Sequence, residues 1–201
     1  MKKGLIITLV VIGLIILIGY GYFRGMYNGM VEKEQNVMAS WSQVENVYQR
    51  RLDLIPNLVA VVKGYAAHEK ETLSAVTEAR SKVGGVMQLN AADLNDPQAI
   101  ERFQQAQATL GGSLQRLMML TENYPDLKAN ESFLQLQNEL AGTENRIAIE
   151  RRRFNLAAQE FNTIIKRFPQ VMFANMFGFT AKAYFSADEG ASKAPEVDFG
   201  I

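Results

Sequence analysis

The sequence predicts an all-α protein, in which a single N-terminal transmembrane helix is followed by an antiparallel up-down four-helix bundle. An uncharged apolar stretch lies near the start, apolar residues recur at helical spacing over residues 27–168, and short turn-forming sequences divide that region. The 201 residues suffice for one compact domain and an appendage. Because 21 basic and 21 acidic residues balance, a nucleic-acid partner is not expected.

The membrane anchor is expected at residues 1–26. Its transmembrane helix is predicted at about residues 5–23, a stretch without charge whose length as a helix, about 28 Å, is close to the apolar thickness of a bilayer. A cleaved signal peptide is the alternative, but the apolar run is too long for one, and Gly19-Tyr20-Gly21 is a poor cleavage site. An uncleaved anchor is therefore the favoured interpretation.

The orientation of the anchor follows from the basic residues beside it. Lys2, Lys3 and the terminal amine lie on one side, and Arg24 and Lys33 lie on the other. The positive-inside rule then favours a cytoplasmic N-terminus with the bundle on the outside.

The bundle is predicted at residues 27–168. Its four helices are expected at about 27–53, 56–89, 97–122 and 127–168. Asp96 is expected to cap the third helix ahead of Pro97. Pro56 is interpreted as a helix start; the alternative is a kink within one long helix, because the apolar periodicity continues through it.

The core of the bundle is predicted from large apolar side chains at helical spacing. Phe154, Phe161 and Phe168 repeat every seven residues, as an interhelical seam requires. Burial is predicted for five aromatic residues: Trp41, Tyr48, Phe133, Phe154 and Phe161.

Two further segments follow the bundle. Residues 169–185 are rich in aromatic side chains and are expected to pack on the bundle, whereas residues 186–201 are expected to form a flexible tail. The apolar tip of this tail, at Val197, Phe199 and Ile201, is a candidate hook for a neighbouring bundle or another partner. The alternative is a disordered end without a role.

Familiar catalytic and metal sites find no support. The chain has no cysteine, and its single histidine, His68, lacks the second histidine of a zinc motif because position 72 is threonine. No phosphate-binding glycine loop or nucleophile elbow occurs in the sequence. We therefore expect no catalytic residue, no metal and no cofactor.

Eight polar residues are candidates for an internal network or an interaction surface. They are Arg50, Arg51, Asp53, His68, Glu69, Glu144, Asn145 and Arg146. A structural or binding role is the favoured interpretation, since carboxylates on helices usually form solvated faces with lysine and arginine. Acid/base catalysis by helical carboxylates is the alternative.

Three stretches resemble a known family. They are WSQVENVYQRRLDLIPNLVAVVKGYAAHEKETLSAVTEARSK, YPDLKANESFLQLQNELAGTENRIAIERRRFN and FNTIIKRFP. Together with the N-terminal apolar segment they resemble the LemA family, over roughly residues 1–185. The resemblance implies a membrane-anchored antiparallel helical bundle, and some members are associated with magnetosome membranes. It supplies no catalytic residue, cofactor or substrate.

The functional expectation combines these observations. We expect a non-enzymatic, single-pass scaffold or interaction protein of the bacterial cytoplasmic (inner) membrane, with a membrane-organising role as the resemblance suggests. Expected partners are the lipid bilayer and either further copies of the chain or another membrane or envelope protein. An enzyme, or an accessory subunit of a membrane enzyme, is the alternative.

Overall fold

A computed structural model describes residues 2–87 and 89–186, and its regular secondary structure over these residues is helical throughout. The predicted all-α class is thereby confirmed. The helices are α1 (Lys2–Tyr65), α2 (Lys70–Val86), α3 (Pro97–Leu120), α4 (Pro125–Lys128), α5 (Glu131–Lys166) and α6 (Val171–Ala174), with short 3-10 turns at Asp93–Asn95 and Thr121–Asn123. The predicted hook at Val197, Phe199 and Ile201 lies outside the described residues.

Helix α1 passes through Pro56 without a break and ends at Tyr65. The predicted helix boundary before Pro56 is therefore wrong, and the alternative of one long helix is right. A proline has no N–H to donate to the carbonyl four residues earlier, which is that of Leu52. Arg80 of α2 donates its Nε–H to this oxygen at 2.9 Å. The carbonyl that the proline leaves unpaired is thus satisfied from a neighbouring helix.

The apolar stretch and the first bundle helix are parts of this same helix. At about 1.5 Å per residue, the 64 residues of α1 extend for about 96 Å. Among the described residues, α1 is the one helix long and apolar enough to cross a membrane, and its apolar portion is not buried by the rest of the chain. No loop separates this portion from the helix that enters the bundle.

The long helices pack in two antiparallel pairs, α1 with α5 and α2 with α3. Asn130, before α5, donates to the Tyr65 hydroxyl at 3.0 Å, whereas Glu160 near its other end meets Lys33 at 2.7 Å. Helix α3 begins as predicted, with the Asp96 side chain accepting from the Gln98 N–H at 2.9 Å. The α2–α3 pair covers the half of α1 that lies farther from the apolar stretch.

The packed helices enclose two hydrophobic cores. The core nearer the apolar stretch, here the proximal core, is aromatic, and its aromatic members are Trp41, Tyr48, Phe103, Phe154, Phe161, Phe179 and Phe185. The distal core is almost wholly aliphatic: Phe133 is the one aromatic residue among its described buried members, which include Leu52, Leu58, Val76, Leu110, Leu114 and Leu117, and Tyr124 packs against its edge.

The five aromatic residues predicted to be buried are all buried, which confirms that prediction. The predicted seam is wrong at its last member, because Phe168 is 79% exposed. Helix α5 ends at Lys166, so the seven-residue spacing no longer brings the side chain at position 168 to the helix interface.

The proximal core is closed by an extended segment, residues 179–186, which runs back along α5. Phe179 and Phe185 of this segment are buried in the proximal core. The Phe185 ring lies 5.9 Å from the Trp41 ring in a stacked arrangement. The N–H of Ala183 also donates to the carbonyl of Leu94 at 2.8 Å, which ties the segment to the connection before α3.

Candidate functional site

A polar layer separates the two cores in the middle of the bundle. Its central contact joins Arg51 of α1 to Glu144 of α5, with Nη2 and Oε1 2.9 Å apart. The Arg51 side chain is 6% exposed, whereas that of Glu144 is 45% exposed. The structure therefore brings together two of the eight candidate residues as a half-buried ion pair.

The local backbone explains how a guanidinium fits between packed helices. Gly111 of α3 faces Arg51, and a Cβ at position 111 would lie 3.2 Å from the guanidinium Nη2. A glycine thus provides the space for the charged group. Burial lowers the pKa of Arg51, and the nearby carboxylate of Glu144 opposes that change. The guanidinium remains a cation, since arginine in water loses its proton only at very high pH.

A small cavity of about 190 Å³ adjoins this ion pair. Gln107 lines it and is buried, yet neither amide atom has a hydrogen-bond partner among the described residues. The Nε–H of Arg51 is buried and unpartnered in the same sense. Buried polar groups of this kind are usually satisfied by water or another polar molecule. The cavity combines hydrogen-bonding groups with an ion pair but presents no cysteine, serine or histidine as a nucleophile or base.

Four candidate residues lie on the surface near this layer. Arg50 meets Glu139 at 3.5 Å, and the Asp53 carboxylate accepts from Gln49 of the preceding turn at 2.7 Å. Asn145 and Arg146 are exposed on α5. These contacts are of the kind that solvated helix faces make, and their contribution to stability is small.

The remaining two candidates lie at the far end of the bundle, in the turn that joins α1 to α2. His68 is exposed there, and Glu69 accepts a hydrogen bond from the Tyr124 hydroxyl at 3.0 Å. This hydrogen bond raises the pKa of Tyr124 because it favours the protonated phenol. The eight candidates therefore divide between the polar layer with its nearby surface and the α1–α2 turn. No group of three metal-binding side chains occurs among the residues that the structure describes.

Two asparagines that the sequence analysis did not single out hold the extended segment in place. Asn162 accepts from the N–H of Lys182 at 2.8 Å and donates to its carbonyl at 2.9 Å. Asn155, one heptad earlier, makes the same pair of bonds to Phe185, both at 2.9 Å. Each asparagine side chain thus pairs with both the N–H and the carbonyl of one residue, as the backbone of a neighbouring β-strand would. The available signal was the repeated Phe-Asn pair at 154–155 and 161–162.

A buried lysine completes this arrangement. The Lys182 side chain is 3% exposed, and its ammonium lies 2.9 Å from a carboxylate oxygen of Glu34 on α1. The same ammonium lies 5.4 Å from the centre of the Phe161 ring, which adds a cation–π contact. These contacts join the extended segment to both long helices.

One family model and several known proteins are similar to this chain. The LemA family model matches residues 40–199. Magnetosome protein MamQ of Magnetospirillum gryphiswaldense is 29% identical over 178 residues, covering 79% of this chain and 64% of that protein. Protein LemA of Metamycoplasma hominis is 28% identical over 177 residues, covering 87% of this chain and 76% of that protein.

These matches confirm the resemblance found in the sequence. The chain covers less than two thirds of the length of the magnetosome proteins it matches. None of the relatives' names denotes an enzyme, and the long apolar N-terminal helix fits a single-pass membrane protein. Because the family model spans most of its residues, the chain belongs to the LemA family.

Proposed function

We propose that this protein is a non-enzymatic scaffold or interaction protein, anchored in the bacterial cytoplasmic membrane with its bundle outside. The observation that carries the proposal is the continuity of α1, in which the apolar stretch and the bundle share one helix without a loop. The bundle is thereby held at a defined distance along this helix from the apolar stretch. Such a mounting suits a protein that presents a surface to partners.

The arrangement of carboxylates supports a non-catalytic role. General acid/base chemistry by a carboxylate pair needs both groups near the same reacting atoms. Asp53, Glu69 and Glu144 instead have separate contacts, with Gln49, Tyr124 and Arg51 respectively. The relatives named as magnetosome proteins support an organising role.

The outer face of α5 is the proposed contact surface. Ile149 and Leu156 lie seven residues apart on this helix, and both are exposed. Residues at this spacing lie on one side of a helix, where a second helix can cover them. The proposed occupant is a second copy of the chain or another envelope protein. The tail tip at Val197, Phe199 and Ile201 stays a candidate for the same role.

In-cell photo-crosslinking tests the proposal. A photoreactive phenylalanine analogue is placed at Ile149 or Leu156 of the full-length chain, and at Met119 as an equally exposed apolar control. We expect discrete adducts of defined mass from the two α5 positions and none from position 119. Adducts that are absent, or that form equally at all three positions, would contradict a specific contact on this face.

A second variant separates a scaffold from an enzyme. Asp53→Asn and Glu69→Gln remove two carboxylates while keeping their size and their ability to accept hydrogen bonds. The scaffold proposal expects unchanged adducts and an unchanged cellular phenotype relative to the unmodified chain. A phenotype lost in this variant, while the adducts and the fold persist, would favour the enzyme alternative.

A further inference from the structure

An exposed apolar surface surrounds the short helix α6. It consists of Phe168, Val171, Met172, Met176 and Phe177, and we call it the α6 surface. Met172 is 65% exposed and Met176 is 67% exposed, although both are large apolar side chains. Soluble proteins rarely expose a large contiguous apolar patch on their surface unless a partner or a membrane covers it.

The α6 surface lies at the level where the apolar stretch of α1 ends. The Phe23 ring contacts those of Phe173 and Phe177, with ring centres 5.3 and 5.7 Å apart. Tyr27, one turn farther along α1, also contacts Phe177 at 5.1 Å. If residues 5–23 cross a bilayer, these contacts hold α6 beside the boundary between its apolar interior and its headgroups.

The charged residues that adjoin this surface along the chain are all positive. Arg24 follows Phe23 on α1, Lys166 ends α5, and Arg167 lies between it and Phe168; the side chains of Arg24, Lys166 and Arg167 are exposed. The sequence contains no aspartate or glutamate before Glu32 and none between residues 161 and 187. Basic side chains beside exposed apolar ones are typical of segments that lie in a membrane interface, with cations at the headgroups and apolar groups among the upper acyl chains.

We infer that the α6 surface inserts into the interface of the same bilayer that α1 spans, with Arg24, Lys166 and Arg167 contacting anionic headgroups. This inference rests on the proposed membrane anchor and adds a second point of attachment to it. A single helix leaves its domain free to rotate about the helix axis and to tilt, whereas a second contact beside the axis restricts both motions. The exposed faces of the bundle then have fixed directions relative to the membrane.

Depth-dependent fluorescence quenching tests this inference on the full-length chain in phospholipid vesicles. The chain has no cysteine, so single cysteines at Met172, Met119 and Ile12 can each carry an environment-sensitive fluorophore. Met172 and Met119 are matched exposed methionines at opposite ends of the bundle, and Ile12 lies within the apolar stretch. Quenching is measured with lipids that carry a nitroxide on the acyl chain.

We expect quenching and blue-shifted emission at positions 12 and 172, and water-like emission at position 119. Quenching at position 12 with water-like emission at 172 would overturn the inference and leave the anchor intact. Water-like emission at both 12 and 172 would instead overturn the proposed anchor.

A separate variant tests whether the basic residues beside the α6 surface contact anionic headgroups. Replacing Lys166 and Arg167 by glutamine should reduce the increase in quenching at position 172 that phosphatidylglycerol produces over phosphatidylcholine alone. The matched control replaces two exposed basic residues elsewhere, Lys128 and Arg152, by glutamine. An equal loss in the control, or no dependence on lipid charge in the original sequence, would overturn the role assigned to the basic residues.

Discussion

The proximal and distal halves of the bundle share two long helices but are closed in different ways. In the distal half, α2 and α3 cover α1 and α5, and the core is aliphatic. In the proximal half, the extended segment and the first turns of α3, with Ile100 and Phe103, cover the same pair of helices, and the core is aromatic. Large aromatic rings suit this second arrangement, because an extended segment contributes few side chains and each must fill a large volume.

The two closures also differ in what specifies them. The α2–α3 pair is positioned mainly by apolar packing, with the Arg80–Leu52 hydrogen bond as a polar contact to α1. Residues 179–186 instead depend on hydrogen bonds from Asn155 and Asn162 and on the ion pair of buried Lys182 with Glu34. Apolar packing tolerates small changes in side-chain shape, whereas a buried polar group that loses its partner lowers the free energy of unfolding by more. The proximal closure should therefore respond more sharply to single polar substitutions.

The largest expected effect comes from emptying either core. Phe154→Ala in the proximal core should cost about 3–5 kcal/mol, and Leu110→Ala in the distal core about 2–5 kcal/mol. Both side chains are fully buried. Chemical denaturation of the full-length protein in detergent measures both losses. Met119→Ala, at an exposed position outside both cores and the α6 surface, is the control and should change stability by less than about 0.5 kcal/mol.

A loss below about 1 kcal/mol for Phe154→Ala would contradict the enclosed proximal core.

The second prediction separates the two closures. Asn162→Leu keeps the size of the side chain but leaves the N–H and carbonyl of Lys182 without their partner, at a cost of about 1–3 kcal/mol. Hydrogen exchange should accelerate at residues 182–185 and stay unchanged in α2 and α3. Asn145→Leu, on the exposed face of the same helix, serves as the control. Equal acceleration in both halves would show that they open as one unit.

The third prediction concerns the polar layer between the two halves. Glu144→Gln removes the charge that compensates buried Arg51, so we expect a loss of about 1–2 kcal/mol. The loss stays below that of a fully buried pair because the carboxylate is partly hydrated. Glu139→Gln, which affects the exposed contact with Arg50, should cost less than about 0.5 kcal/mol in the same denaturation experiment. Equal losses would contradict the special role of the Arg51 pair.

The smallest expected effect concerns the distal half at Pro56. Arg80→Ala should cost about 1 kcal/mol by leaving the Leu52 carbonyl unpaired. In a Pro56→Ala background the new backbone N–H bonds that carbonyl, so the cost of Arg80→Ala should fall. A double-mutant cycle measures this coupling, with Lys82→Ala as the control on the exposed side of α2. Identical costs in the two backgrounds would contradict the proposed compensation.

The comparison also explains what could be predicted from the sequence. Apolar periodicity and local caps such as Asp96 identified the helical class, and heptad spacing identified Phe154 and Phe161 as core residues. Periodicity alone could not show where the seam ends, because the exposure of Phe168 depends on where α5 ends.

Contacts between residues distant in sequence account for the rest. The continuity at Pro56 depends on an arginine 24 residues later in the chain, and the pairing of Arg51 with Glu144 depends on the register of α1 against α5. The asparagine contacts to residues 182 and 185 likewise require the segment to turn back after α6. No local pattern specifies a return of this kind.

The uninterrupted helix α1 is the basis of the whole account, and a distance measurement across it is the most direct test. Spin labels at Tyr20 and Asn46, both exposed, lie on either side of the passage from the apolar stretch into the bundle. At about 1.5 Å per residue, their backbones are about 39 Å apart along a continuous helix. In vesicles we expect a narrow distribution of distances near this value by pulsed electron spin resonance. A broad distribution centred at shorter distances would show a hinge and contradict the rigid mounting.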